Sequence, residues 1–120
     1  MTYYFKKILT KHGIEKHDGR SLWQYNLSKN DLDQLKIQLA ISINNFKGDA
    51  DSYSYPVDVA LYFAEYWRQM YDGGKPSIKM ILDSLGADEL KHKLVYEIAI
   101  KGAERLQLKW INIGVNDLML

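Results

Sequence analysis

One stretch of the sequence, from Pro56 to about Tyr71, is apolar around most of its circumference when it is drawn as a helix. Val59, Phe63 and Trp67 recur at steps of four, which is the spacing of one helical stripe. Pro56 suits the first helical position, because its missing N–H would have no partner there. The residues of this helix that are expected to face water are Asp58, Glu65, Arg68, Gln69 and Asp72. A helix that is apolar on nearly every other side has to be surrounded by other elements. We therefore predict a central helix over 56–71 with the rest of the chain packed around it.

Further helices are predicted on both sides of this stretch. Ser28, Ser77 and Asp88 each precede an apolar-periodic segment and carry a side-chain oxygen that can cap a helix. The predicted helices cover about 28–45, 77–85 and 88–108, with a short N-terminal one that ends before Gly13. The apolar face of the 28–45 helix is predicted to comprise Leu32, Leu35, Ile37, Leu39, Ala40, Ile41, Ile43 and Phe46.

Gly102 lies inside the last predicted helix, where glycine costs about 1 kcal/mol relative to alanine. A glycine at such a position is typical of a close approach between two backbones. We expect the central helix to cross the last helix near Gly102.

Two short segments have the pattern of extended chain. Trp23, Tyr25 and Leu27 alternate with polar residues, which is the period of a strand. A second segment over 109–115 is similar and could pair with 22–27. The fold class predicted from the sequence is therefore mainly α, with four to five helices and a small extended or β element at 22–27 and 109–115.

Composition excludes several classes of protein. Lys and Arg number 16 against 15 Asp and Glu, so the net charge of +1 gives no support to a strongly basic nucleic-acid surface. The absence of cysteine excludes disulfides, thiol nucleophiles and zinc–thiolate sites, and is compatible with a reducing cytoplasm. No apolar run approaches the roughly 20 residues that span a bilayer. We expect a cytoplasmic protein without a membrane segment.

No motif with a catalytic mechanism can be identified in the chain. His12 and His17 are five residues apart across a glycine, which is not the one-turn spacing that places two imidazoles on one metal. Gly73 and Gly74 follow a helix instead of preceding one, so they favour a helix end over a phosphate loop. We predict no enzyme activity, no metal site and no cofactor.

A polar patch on the central helix is the first candidate binding site. Glu65 and Arg68 are spaced for an ion pair, and Trp67 and Tyr71 lie beside them. One interpretation is a solvent-facing row of charges that stabilises the helix by tenths of a kcal/mol per pair. The other is a partner-binding site at Glu65, Trp67, Arg68 and Tyr71, because Arg, Trp and Tyr dominate interface hot spots.

A second candidate is a nucleic-acid interface. The segments over about 77–106 resemble a helix-turn-helix, because a short turn with a glycine joins the two predicted helices. Lys91, His92 and Lys93 lie near the start of the second helix, where a recognition helix contacts DNA. Asp88 and Glu89 at the same tip would repel phosphates.

Three segments resemble a known family. They read DGRSLWQYNLS, DVALYFAEYWRQMYDGGKPSIKMILDSLG and YEIAIKGAERLQLKWI. They are similar to the N-terminal region of large bacterial proteins encoded in anti-phage defence islands, the STY4851/ECs_5259-like family. The resemblance covers about residues 18–120 and implies a defence context and an accessory, non-catalytic N-terminal module. It carries over no active site.

The sequence thus predicts one helical domain over 1–120 that is a fragment or N-terminal module of a longer protein. Three of its last five residues, 116–120, are apolar, which is unusual for a free terminus and favours that interpretation. Its predicted role is interaction or scaffolding, with a protein partner or the remaining domains of the same chain. Nucleic-acid binding through the second candidate site is the alternative.

Overall fold

Helix α3 forms the centre of the molecule in the computed structural model, which describes residues 4–70 and 77–108. Its residues from Val59 to Glu65 are all buried, with 0% of each exposed. The helices are α1 Tyr4–Lys11, α2 Lys29–Asn45, α3 Pro56–Met70, α4 Ile78–Ser84 and α5 His92–Arg105. The 3₁₀ turns are Leu22–Tyr25, Ala50–Ser52 and Glu89–Lys91. The predicted mainly helical fold with a central apolar helix is confirmed.

The predicted caps begin three of these elements. The Ser28 hydroxyl accepts a hydrogen bond from the Asp31 N–H at 3.1 Å, and the Ser77 hydroxyl accepts one from the Met80 N–H at 3.1 Å. Asp88 also acts as a cap, by accepting from the Leu90 N–H at 3.2 Å, but it begins a 3₁₀ turn and α5 starts only at His92.

The close approach predicted at Gly102 is confirmed. A Cβ at this position would lie 2.0 Å from the carbonyl oxygen of Pro56 and 2.9 Å from the Val57 nitrogen. No real Cβ tolerates such distances from backbone atoms. The C-terminal half of α5 therefore rests directly on the first turn of α3, and glycine is what permits it.

The predicted strand over 22–27 is wrong. Leu22–Tyr25 is a 3₁₀ turn whose side chains bury at a spacing of three, with Leu22 and Tyr25 inside and Trp23 39% exposed. Two hydrogen bonds between Ser21 and Gln24 stabilise the start of the turn. The Ser21 N–H donates to the Gln24 side-chain oxygen at 2.9 Å, and the Ser21 carbonyl accepts from the Gln24 N–H at 3.0 Å. These local hydrogen bonds outweigh the alternating pattern. The other predicted extended segment, 109–115, lies outside the described residues.

The apolar face of α2 is narrower than predicted. Leu32, Leu35, Leu39 and Ile43 are buried, whereas Ile37 is 52% and Ile41 61% exposed. At 100° per residue the two isoleucines lie opposite the buried stripe. Helix α2 therefore packs on α3 along one side and presents an apolar pair to solvent on the other.

Candidate functional site

The charged residues of the predicted patch on α3 do not all face water as expected. Glu65 has no exposed surface, and Asp58, also expected to face solvent, is 1% exposed. Trp67 is half-buried, Arg68 keeps 27% of its side chain exposed, and Tyr71 lies outside the described residues. The exposure expected for Asp58 and Glu65 is wrong, because both side chains pair with backbone groups of distant segments.

Glu65 and its neighbours hold Leu27, the residue that precedes the cap of α2. The Glu65 carboxylate accepts from the Leu27 N–H, and Arg68 and Gln69 donate to the Leu27 carbonyl at 2.6 and 2.8 Å. Arg68 also donates to Glu65 from Nε at 3.0 Å and from Nη2 at 3.1 Å. Both backbone groups of one buried residue are thus satisfied by side chains of α3.

Burial raises the pKa of Glu65, while the hydrogen bonds from Arg68 and from the Leu27 N–H act in the opposite direction. A buried carboxylate with this many partners has little freedom to exchange a proton with a substrate. The arrangement joins α3 to the start of α2. That Glu65, Trp67, Arg68 and Tyr71 bind a partner remains a prediction.

Asp58 likewise joins α3 to another helix, in this case α1. Its two carboxylate oxygens accept from the N–H groups of Tyr4 and Phe5 at 3.0 and 2.8 Å. The first amides of a helix have no partner within the helix and carry partial positive charge, so a carboxylate satisfies them twice over. Burial raises the pKa of Asp58 against the lowering effect of these two amides. Sequence pattern alone could not reveal this contact, which joins residues more than fifty positions apart.

The residues of the predicted nucleic-acid interface are largely engaged in packing. Lys91 Nζ donates to the carbonyls of Ile43, Asn44 and Phe46 at 3.0, 3.0 and 3.1 Å, so it caps the C-terminus of α2. His92 Nε2 donates to the Ala87 carbonyl at 3.1 Å. Of the three predicted residues, only Lys93 is exposed. This arrangement does not bring three basic side chains to one free surface.

A groove between α1 and the end of α5 was not identified from the sequence. Apolar side chains line it, and its rim carries charged residues of α1, of the loop that follows α1 and of the end of α5. The residues of this α1–α5 groove are Phe5, Lys6, Leu9, Glu15, Lys16, His17, Val57, Arg105, Leu106 and Gln107. Its apolar part encloses about 260 Å³ and continues, past His17 and Leu106, into a more polar depression beside Arg105. These residues come from four separate segments, which explains why no sequence motif marks them.

Two histidines hold the loop beside this groove against Tyr25. His12 Nε2 donates to the Tyr25 carbonyl at 2.9 Å, and His17 Nδ1 lies 2.6 Å from the Tyr25 hydroxyl. Arg20 stacks 4.8 Å from the centre of the same ring while it pairs with Asp18 at 2.6 Å. Burial lowers the pKa of His17 and raises that of Tyr25 to about 12, so both side chains are neutral at pH 7.

Within residues 4–70 and 77–108, no cluster of three or more His, Asp or Glu side chains is placed to hold a metal ion. No helix in the same ranges is long and apolar enough to cross a bilayer. Four depressions in this part of the chain enclose about 260 to 400 Å³ each and open to solvent.

Comparison with known protein families matches residues 1–116 to the family described as the YjiT N-terminal domain. The chain belongs to this family. The matched residues include α1 through α5 of this chain. Neither a curated protein nor a solved structure matches the chain.

Proposed function

We propose that this domain is a non-catalytic interaction module of a bacterial anti-phage defence protein, and that the remaining domains of the same chain pack against it. The defence context rests on the resemblance of the three sequence segments. The attachment to further domains is supported by the description of the family as an N-terminal domain. The proposed compartment is the cytoplasm, since a chain without cysteine is compatible with a reducing environment.

The observation that carries this proposal is the outer face of α2. Ile37 and Ile41 lie one turn apart and expose more than half of their surface. Full burial of an isoleucine side chain contributes about 1.5–3 kcal/mol, so covering the pair is favourable for any surface of matching shape. Two large apolar side chains adjacent on a helix are typical of helix-face recognition.

The buried ionisable groups support a non-catalytic role. Asp58 and Glu65 are the charged side chains buried in the described ranges, and both are bound to backbone amides that begin other elements. Neither carboxylate lines one of the depressions described above. A general acid or base needs access to a substrate proton, which these positions do not give.

The test compares two matched double variants of the complete protein in a phage plating assay. Ile37→Ser/Ile41→Ser removes the apolar pair of α2, and Met80→Ser/Leu90→Ser removes two exposed apolar side chains elsewhere. We expect the first variant to lose at least tenfold in protection, and the second to keep it. Both should melt close to the native protein, because exposed substitutions change stability little.

Equal protection by both variants would contradict the role of α2. Hydrolase or nuclease activity of the isolated 120-residue chain would contradict the proposed non-catalytic role. A mobility shift of DNA at low salt that disappears in Lys93→Ala would instead support the nucleic-acid alternative.

A further inference from the structure

The α1–α5 groove combines features of a peptide-binding site. Phe5, Leu9, Val57 and Leu106 supply apolar walls to a space of about 260 Å³. This apolar part has room for one or two apolar side chains of a longer ligand, which would continue into the more polar depression beside Arg105.

The charges around the groove favour an acidic ligand. Lys6, Lys16 and Arg105 lie on its rim with Glu15 as the one acidic lining residue. The three cations form no ion pair with any residue that the structure describes. The rim therefore carries a net charge of +2, from three cations and one carboxylate, in a chain whose total is +1.

His17 lies where the apolar part of the groove meets its more polar part. Its Nδ1 is 2.6 Å from the Tyr25 hydroxyl, and this contact holds the imidazole in place. The ring therefore shapes the wall of the groove between the two parts.

We propose that the α1–α5 groove binds a peptide segment of a separate protein that alternates acidic and apolar residues. An apolar side chain of the segment packs on Phe5, Leu9 and Leu106. A neighbouring carboxylate of the segment pairs with Lys16 and Arg105. This site lies apart from Ile37 and Ile41, so it does not depend on the role proposed for α2.

The probe is a fluorescein-labelled dodecapeptide of alternating Asp and Leu, titrated with the 120-residue chain and followed by fluorescence anisotropy. We expect saturable binding that Lys16→Glu/Arg105→Glu weakens at least tenfold. The matched control Lys29→Glu/Lys93→Glu makes the same change in net charge at exposed positions outside the groove and should weaken binding less than twofold.

Two further peptides separate the contributions of charge and apolar contact. Replacing every Asp by Lys, or every Leu by Ser, should abolish saturable binding. Equal weakening by the two double variants, or equal binding of the Asp–Ser peptide, would reduce the effect to general electrostatics and overturn the proposal. Absence of saturable binding by the Asp–Leu peptide would overturn it as well, while leaving the plating result for α2 unaffected.

Discussion

Gly102 has no side chain at the point where α5 meets the first turn of α3, and the Pro56 carbonyl occupies the space that a Cβ would need. The neighbouring atoms are backbone, so they cannot move aside as a flexible side chain would. The helices must separate to admit even one methyl group. The distance between the two main helices is therefore set by a single residue type.

Gly102→Ala should lower the free energy of unfolding by about 2 kcal/mol, because an overpacking cost of about 3 kcal/mol at this tight contact is reduced by about 1 kcal/mol through the better helix propensity of alanine. Urea unfolding followed by circular dichroism measures this change. Lys93→Ala, an exposed substitution in the same helix, should stay within about 0.5 kcal/mol of the native protein. A Gly102→Ala variant as stable as the native protein would contradict the contact.

Asp58 allows a prediction about pH. Burial raises the pKa of this carboxyl, so the folded protein holds the proton more tightly than the unfolded chain does. In the unfolded chain an Asp has a pKa of about 3.9. The stability from such a group is complete below the unfolded pKa and is lost as the pH rises through the folded pKa. The unfolding free energy of the native protein should therefore fall relative to that of Asp58→Asn as the pH rises above about 4. A difference that grows with pH would mean that the two amides of α1 outweigh burial.

At the scale of elements, the contact between α3 and Leu27 positions the start of α2. Leu27 is buried and immediately precedes the Ser28 cap, so fixing its N–H and carbonyl fixes where the helix begins. The 3₁₀ turn at Leu22–Tyr25 ends at Asn26, whose φ of 54° directs the chain into this contact. Glu65, Arg68 and Gln69 thus join the link between the 3₁₀ turn and α2 to the central helix.

Arg68→Ala should cost about 3 kcal/mol of unfolding free energy, because it leaves the Glu65 carboxylate buried without its cation. Thermal and urea unfolding measure this loss. Gln69→Ala, which removes a neutral donor to the same carbonyl, should cost about 1 kcal/mol. Replacing both charges in Glu65→Gln/Arg68→Ala should recover part of the single-variant loss. A loss below about 0.5 kcal/mol for Arg68→Ala would contradict a structural role and favour partner binding at this residue.

At the scale of the whole molecule, local chemistry made the helical framework predictable from sequence. Ser28 and Ser77 cap helices through side chains that reach only three residues along the chain. The spacing of Leu32, Leu35 and Leu39 reports directly on a buried stripe. The same spacing places Ile37 on the opposite face of the helix, so its exposure is predictable as well.

Contacts between distant segments could not be predicted in this way. Asp58 and Glu65 have the sequence spacing of surface charges, and their burial depends on amides that lie 38 to 54 residues away. The α1–α5 groove likewise exists only after four segments have come together. Lys91, a residue of the predicted nucleic-acid interface, donates to carbonyls 45 to 48 residues away, a contact that its sequence position does not reveal.

The most direct test of the interaction module is hydroxyl-radical footprinting of Ile37 and Ile41 in two forms of the protein. The oxidation rate of each side chain is measured in the 120-residue chain and in the complete protein from the full reading frame. If the remaining domains cover the outer face of α2, both rates fall at least fivefold in the complete protein, while those of Met80 and Leu90 change less than twofold. Equal rates for Ile37 and Ile41 in the two forms would contradict the proposed function.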